Sequence, residues 1–280
     1  MTDIDLFTAI SKDCSKNTTK RYSTSFSSAI SLLHKDLHQP IYDIYGFVRL
    51  ADEIVDSFHQ FDKKSLFEDF KKQTNSAIEN GISLNPLLQS FQHTVNQFKI
   101  DNHLIDAFLY SMELDLSKNE YSQIEYEKYI YGSAEVVGLM CLQVFCNGDK
   151  NLYNKLEPAA KKLGAAFQKV NFLRDIKADS EGLGRMYFPN CDFKNFTQED
   201  KKQIEADIQK DFDDALQGIL KLPVKARFGV YVAYQYYLSL FNKIKTLPSK
   251  QILENRVRIP DFLKAFIVAK ATVKMKLNLL

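Results

Sequence analysis

The stretch QKVNFLRDIKAD, residues 168–179, decides how this chain is read. Gln168, Asn171, Asp175 and Asp179 follow one another at spacings of three, four and four within an apolar pattern of helical period. At that spacing all four side chains leave one face of a helix. A second stretch, RLADEIVD at residues 49–56, repeats the arrangement: Tyr45, Arg49, Asp52 and Asp56 form a parallel ladder with a phenol and a cation ahead of two carboxylates. Helix propensity gives no reason to build either pair. Like charges one turn apart cost roughly a few tenths of a kcal/mol in water and more in a cleft. One such pair alone is more often a solvated helix face, but two ladders in one chain point to a cation held between them. Carboxylate and amide oxygens on rigid helices are hard ligands suited to Mg²⁺, which keeps waters and shares its shell with substrate phosphates. Arg49 suits a phosphate oxygen.

Working outward from the ladders, NPLLQSFQHTVNQF, HLIDAFLYSMEL and QEDKKQIEADIQKDFDDALQGIL all repeat near 3.6 residues, and alternation of period two is nearly absent. The chain reads as all-α, with about ten helices. Irregular connections are expected near Ser57–Lys64, Gly148–Asp149, Gly182–Asn195 and Leu247–Ile259. Pro40, Pro86, Pro223 and Pro260 are read as helix starts, with Asn85 capping the helix that begins at Pro86. No Pro-, Gly- or Ser-rich linker, repeat or low-complexity tract divides the 280 residues, so residues 1–280 are read as one domain.

A net charge of +2, with acidic and basic residues interspersed, gives no steering field and argues against a nucleic-acid partner. The four cysteines, 14, 141, 146 and 191, have no CxxC spacing and are read as reduced structural thiols. The acidic start MTDIDLFTAISKDCSK lacks a hydrophobic signal core, and no apolar run is read as reaching the roughly 20 residues that span a bilayer. The expected location is cytoplasmic.

From Arg21 to about Lys274 the chain resembles the squalene and phytoene synthases, which join two isoprenyl diphosphates head to head. The residues that carry the resemblance are STSFSSAISLL, DIYGFVRLADEIVD, YIYGSAEVVGLM and LGAAFQKVNFLRDIKADSEGLGRMYFP, in that order. The resemblance implies an all-α isoprenoid synthase fold whose helices surround a central cleft, with a Mg²⁺ cluster between the two aspartate motifs. It implies Asp52, Asp56, Asn171, Asp175 and Asp179 as metal ligands, and Tyr22, Ser25, Tyr45, Arg49, Gln168 and Arg174 as diphosphate or substrate contacts. Tyr129 lies where the family places a phenol near the reacting carbons, able to stabilise a cation or guide proton loss. Gly132, Gly138 and Gly164 interrupt helical runs and require a close approach by a helix or a prenyl chain. Ala134, Val137 and Gly138 are the pocket residues expected there. Glu135 departs from the family's pattern of a small residue.

Two family reactions compete. Squalene or dehydrosqualene synthases act on farnesyl diphosphate, the squalene type with NADPH, whereas phytoene synthases join geranylgeranyl diphosphates and end by losing a proton. The wall Ser27, Ser28, Ala29, Ile30 lacks a large ring, which leaves depth for the longer chain, and the expected enzyme is a phytoene-forming prenyltransferase. Catalytically inactive assembly factors share this fold, but they need not keep both ladders. A greasy substrate and the basic KAFIVAKATVKMKLNLL segment together suggest peripheral membrane contact.

Overall fold

A computed structural model of the chain describes residues 2–118, 120–177, 179, 185–189, 191, 196–254 and 256–277. Among them run thirteen α-helices: α1 Asp3–Tyr22, α2 Thr24–Ser31, α3 Lys35–Asp56, α4 Lys63–Asn80, α5 Pro86–Phe98, α6 Asn102–Leu114, α7 Gln123–Ile130, α8 Val136–Cys146, α9 Lys150–Lys177, α10 Gln198–Ile219, α11 Val224–Lys245, α12 Ser249–Glu254 and α13 Asp261–Lys276. A π-helical turn, Tyr131–Glu135, joins α7 to α8. Among the described residues the one isolated β-bridge joins Glu120 and Met186.

Local chemistry sets many of the boundaries. Thr2, Ser122 and Thr197 form capping boxes with Asp5, Glu125 and Asp200, and Asn85 caps α5 with Pro86 in its first turn. Gly81 closes α4 in the left-handed region at φ 68°. Pro223 and Pro260 stand immediately before α11 and α13. Pro40 does not start a helix: α3 begins five residues earlier, at Lys35, and its first turn is held by the buried Leu37. The count exceeds ten because single apolar runs are split. Ser23 ends α1 and caps α2, and a short helix, α12, lies in the connection expected to be irregular throughout. Of the Gly182–Asn195 connection, residues 182–184, 190 and 192–195 lie outside the described residues. All four cysteines are free thiols.

The two ladder helices are oriented by what their other faces bury. On α3, Ile44, Phe47, Ala51, Ile54 and Val55 point into the core. Phe47 stacks on Phe91 of α5 with ring centroids 3.9 Å apart and packs against Phe70 of α4 and Phe108 of α6. Each such aromatic pair adds about 1 kcal/mol beyond its burial. On α9, buried Lys169 is held between Asp207 and Asp211 of α10, and Lys162 pairs with Asp211 at 2.9 Å. That pairing holds one side of α9 against α10 and leaves the ladder side free.

Residues Gln123–Cys146 form one helical run of 24 residues that is long and apolar enough to cross a bilayer, contrary to the sequence expectation. The run packs against α3, α6 and α9, and Val136, Leu139, Met140, Leu142 and Val144 are buried there. Close approach explains two of its glycine contacts. A Cβ on Gly132 would lie 2.1 Å from Ser111 Oγ and 2.4 Å from the Ala107 carbonyl oxygen, and one on Gly164 of α9 would lie 2.7 Å from the Ala134 carbonyl oxygen. The neighbours are helices, so these glycines serve packing.

Asp43 of α3 is buried behind the aromatic stack and accepts hydrogen bonds from Gln39 Nε2 and Thr94 Oγ1, each at 2.8 Å. Burial pushes its carboxyl up from 3.8 to about 6, against the opposing effects of Gln39, Thr94, Lys12 and Ser90. A raised carboxyl favours the folded state when protonated, so stability falls as pH rises from about 4 to about 6. Asp43→Asn should remove that portion of the slope, read as melting temperature against pH.

Candidate active site

Both ladders line one cavity of about 540 Å³. Tyr45, Arg49, Asp52 and Asp56 reach it from α3, and Gln168, Asn171 and Asp175 from α9, with Asp179 two residues beyond the helix end. The cavity continues into an apolar end lined by Ile30, Leu33, Ala134, Val137, Gly138, Phe145 and Leu222. Tyr22, Tyr129 and Arg174 line it as well. Ser25 does not; its neighbour Ser23 does, because the break at Ser23 resets the helical phase between α1 and α2. Glu135 is half-buried outside the cavity lining, where burial raises its carboxyl and Lys162 and Lys161 oppose the rise.

The carboxylates act on one another across the cavity. Asp52 is pushed up to about 7, first by burial and then by Asp56. Asp179 also rises to about 7, through burial and then through Asp175 and Asp56. The influence of Asp56 on Asp179 links the α3 ladder to the α9 ladder. Cations already on the protein compensate only in part. Arg49 pairs with Glu53, lies 3.9 Å from Asp52 and sits 4.3 Å above the Tyr22 ring. Asp175 receives Arg174 and, at 2.8 Å, Arg256.

Arg185 was not singled out from the sequence, although it stands in the quoted GRMYFP segment. It is 4% exposed; its Nη1 donates to Asp56 at 2.7 Å and its Nη2 to the Asp115 carbonyl oxygen at 2.9 Å. Its backbone N–H donates to the Asp179 carbonyl oxygen at 2.8 Å, so one residue holds both ladder ends. The buried Asp115 carboxylate accepts from Tyr129 at 2.7 Å and from Tyr121 at 3.2 Å, and burial raises it to about 6 despite the opposing pull of Arg185. Tyr129 is thus fixed by a carboxylate, with Phe172 and Tyr187 against its ring. Asp115 carried no signal because it lies one residue past the periodic run of α6. Tyr237, which donates to Asn171 Oδ1 at 3.3 Å, was hidden in an aromatic-rich segment of α11.

Among the described residues, no three His, Cys, Asp or Glu side chains group closely enough to cage an ion by themselves. The donor set nevertheless fits magnesium, which typically takes one or two carboxylates and completes its shell with water and phosphate oxygens. Asp52 and Asp179, raised first by burial and then by neighbouring carboxylates, are groups whose charge such an ion would relieve.

An all-α fold with two acidic ladders over an apolar cavity is the architecture that the resemblance to the squalene and phytoene synthases implied. The family model for squalene/phytoene synthase matches residues 19–262, and the chain belongs to that family. It is 25% identical to a phytoene synthase from Arthrospira platensis, covering 92% of this chain and 91% of that one. It is 27% identical to the chloroplastic phytoene synthase 1 of Solanum lycopersicum over 80% of this chain, which spans 58% of that longer protein. A ligand-bound dehydrosqualene synthase superposes with a TM-score of 0.82 at 20% identity, over 96% of this chain and 98% of that one. A squalene synthase from Alicyclobacillus acidocaldarius superposes with a TM-score of 0.72 at 18% identity, over 88% and 95%. These structures share the fold.

Removing the guanidinium between Asp56 and Asp115 should leave a buried carboxylate uncompensated. Arg185→Met is expected to cost about 3 kcal/mol in urea melts, and adding Asp115→Asn to return part of that loss.

Proposed function

We propose that this protein joins two isoprenyl diphosphates head to head, taking geranylgeranyl diphosphate to phytoene through a cyclopropyl diphosphate. The observation that carries the reading is the single cavity with an acidic end and an apolar end, lined at once by both ladders. The phytoene synthases among the relatives support the C20 substrate; of the ring-free stretch Ser27–Ile30 only Ala29 and Ile30 line the cavity, beside Phe26.

Asp52, Asp56, Asn171, Asp175 and Asp179 would hold magnesium, which when bound supplies positive charge against the departing diphosphate. Arg49, Arg174 and Arg256 stand at the same end and offer N–H donors to phosphate oxygens as negative charge develops there. Tyr45 and Gln168 position the diphosphate beside them. The apolar wall around Ala134, Val137 and Gly138 excludes water from the allylic cation, which would otherwise be captured as an alcohol. The first cation alkylates the double bond of the second substrate, and the new cation loses one proton as the cyclopropane ring closes, with the first diphosphate as the departed leaving group. The cyclopropyl product then loses its own diphosphate at the same end, and the ring opens to the head-to-head bond. Tyr129 presents its ring to the cation, and its O–H donates to Asp115, which fixes the phenol beside the site of the final proton loss.

Asp52→Asn and Asp175→Asn should each abolish turnover while the helical circular dichroism stays unchanged; full activity in both would reject the metal assignment. Incubating the enzyme with farnesyl and geranylgeranyl diphosphates separately, with and without NADPH, and weighing the hydrocarbons by mass spectrometry tests the substrate. A C40 product from geranylgeranyl diphosphate without NADPH is expected. A C30 product alone would assign the farnesyl reaction, and no product together with no thermal shift on adding magnesium and a diphosphate analogue would assign a non-catalytic role.

A further inference from the structure

Helix α13 is apolar on two opposite sides. Ile267 and Ala271 are buried on the side that packs against α11. On the other, Phe262, Phe266, Ala269, Val273 and Leu277 recur at spacings of four, three, four and four, and all five are exposed, Phe262 at 76% and Phe266 at 63%. A surface helix that buries one face normally turns polar residues outward. This outward stripe instead combines two large rings with aliphatic residues, and Lys270 and Lys276 flank it, exposed and without an ion-pair partner among the described residues. The helix carries four lysines against a single acidic residue, Asp261, at its start.

The position of the stripe adds to its chemistry. Lys264 Nζ donates to Thr24 Oγ1 at 3.2 Å, beside Tyr22 and Ser23, which line the cavity. Arg256, in the connection leading into α13, reaches Asp175. The exposed stripe therefore belongs to a helix bordering the region through which a prenyl chain would enter.

We propose that this face of α13 docks on an anionic lipid surface, with Phe262 and Phe266 at the acyl boundary and Lys270 and Lys276 against the headgroup phosphates. Charge complementarity decides between lipid and a second copy of the chain. Two α13 faces meeting about a two-fold axis would bring four lysines into one desolvated patch, whereas an anionic surface neutralises them. The proposal rests on the isoprenyl diphosphate reading only for its purpose, which is to deliver a greasy substrate from the bilayer to the cavity. Vesicle binding is measured without substrate, so its failure is separable from a failure of the substrate assay.

Co-sedimentation of the full chain with phosphatidylcholine vesicles, with and without phosphatidylglycerol, tests it. Binding is expected to the anionic vesicles and to weaken with salt. Phe262→Ser/Phe266→Ser should lower partition about tenfold or more, and Lys270→Glu/Lys276→Glu should erase the preference for anionic lipid. Phe61→Ser, an exposed ring on the α3–α4 connection, should leave partition unchanged. Absence of binding to anionic vesicles would overturn the proposal, as would unaltered binding by the Phe262/Phe266 variant. So would light scattering that shows a dimer which this variant converts to monomer.

Discussion

Four carboxylates brought to one end of a cavity repel one another, and the surrounding architecture is best understood through what resists that repulsion. Asp52 and Asp179 are pushed up to about 7, first by burial and then by their acidic neighbours. Left to themselves, helices carrying such ladders would turn them to solvent. Here α3 is committed by its Phe47 stack and α9 by Lys169 lodged between two aspartates of α10, and both commitments lie on faces away from the cavity. The strain at the acidic end is therefore sustained by packing and ion pairing elsewhere in the molecule.

The arginines divide this end of the cavity. Arg185 is buried and occupied by Asp56 and the Asp115 carbonyl, which suits a structural brace. Arg49 stacks on the half-exposed ring of Tyr22, and Arg256 is about half exposed at Asp175, so neither is enclosed as Arg185 is. The Asp115 carboxylate orients three phenols, those of Tyr121, Tyr129 and Tyr187, so the aromatic floor beneath the ladders is registered to the same brace.

Much of this site was readable from sequence because helical period alone specifies a face. Once Asp175 and Asp179 are four apart on a helix, their shared direction follows without knowledge of the fold. Where phase is interrupted, that logic stops. Ser25 was expected at the substrate through the family resemblance, and the helix break at Ser23 places Ser23 instead on the cavity wall. Arg256 meets Asp175 across 81 residues, from an irregular connection with no period to place it. Asp115 sits at a helix end, where a side chain's direction depends on tertiary contacts. Pro40 shows the same limit at the backbone level, since a proline within the early turns of a helix is tolerated when buried side chains such as Leu37 hold the turn before it.

The π-turn at Tyr131–Glu135 has a mechanical consequence. A wide turn of this kind inserts an additional residue into an otherwise continuous helix, which advances everything after it by about 100°. Tyr129 before the turn and Val137 and Gly138 after it all face the cavity, and the offset brings the latter two closer to the side of the phenol. The insertion works as a washer under a bolt head. Single-residue deletions between 131 and 135 would rotate the phenol and the apolar wall out of alignment with each other, although the segment would remain helical.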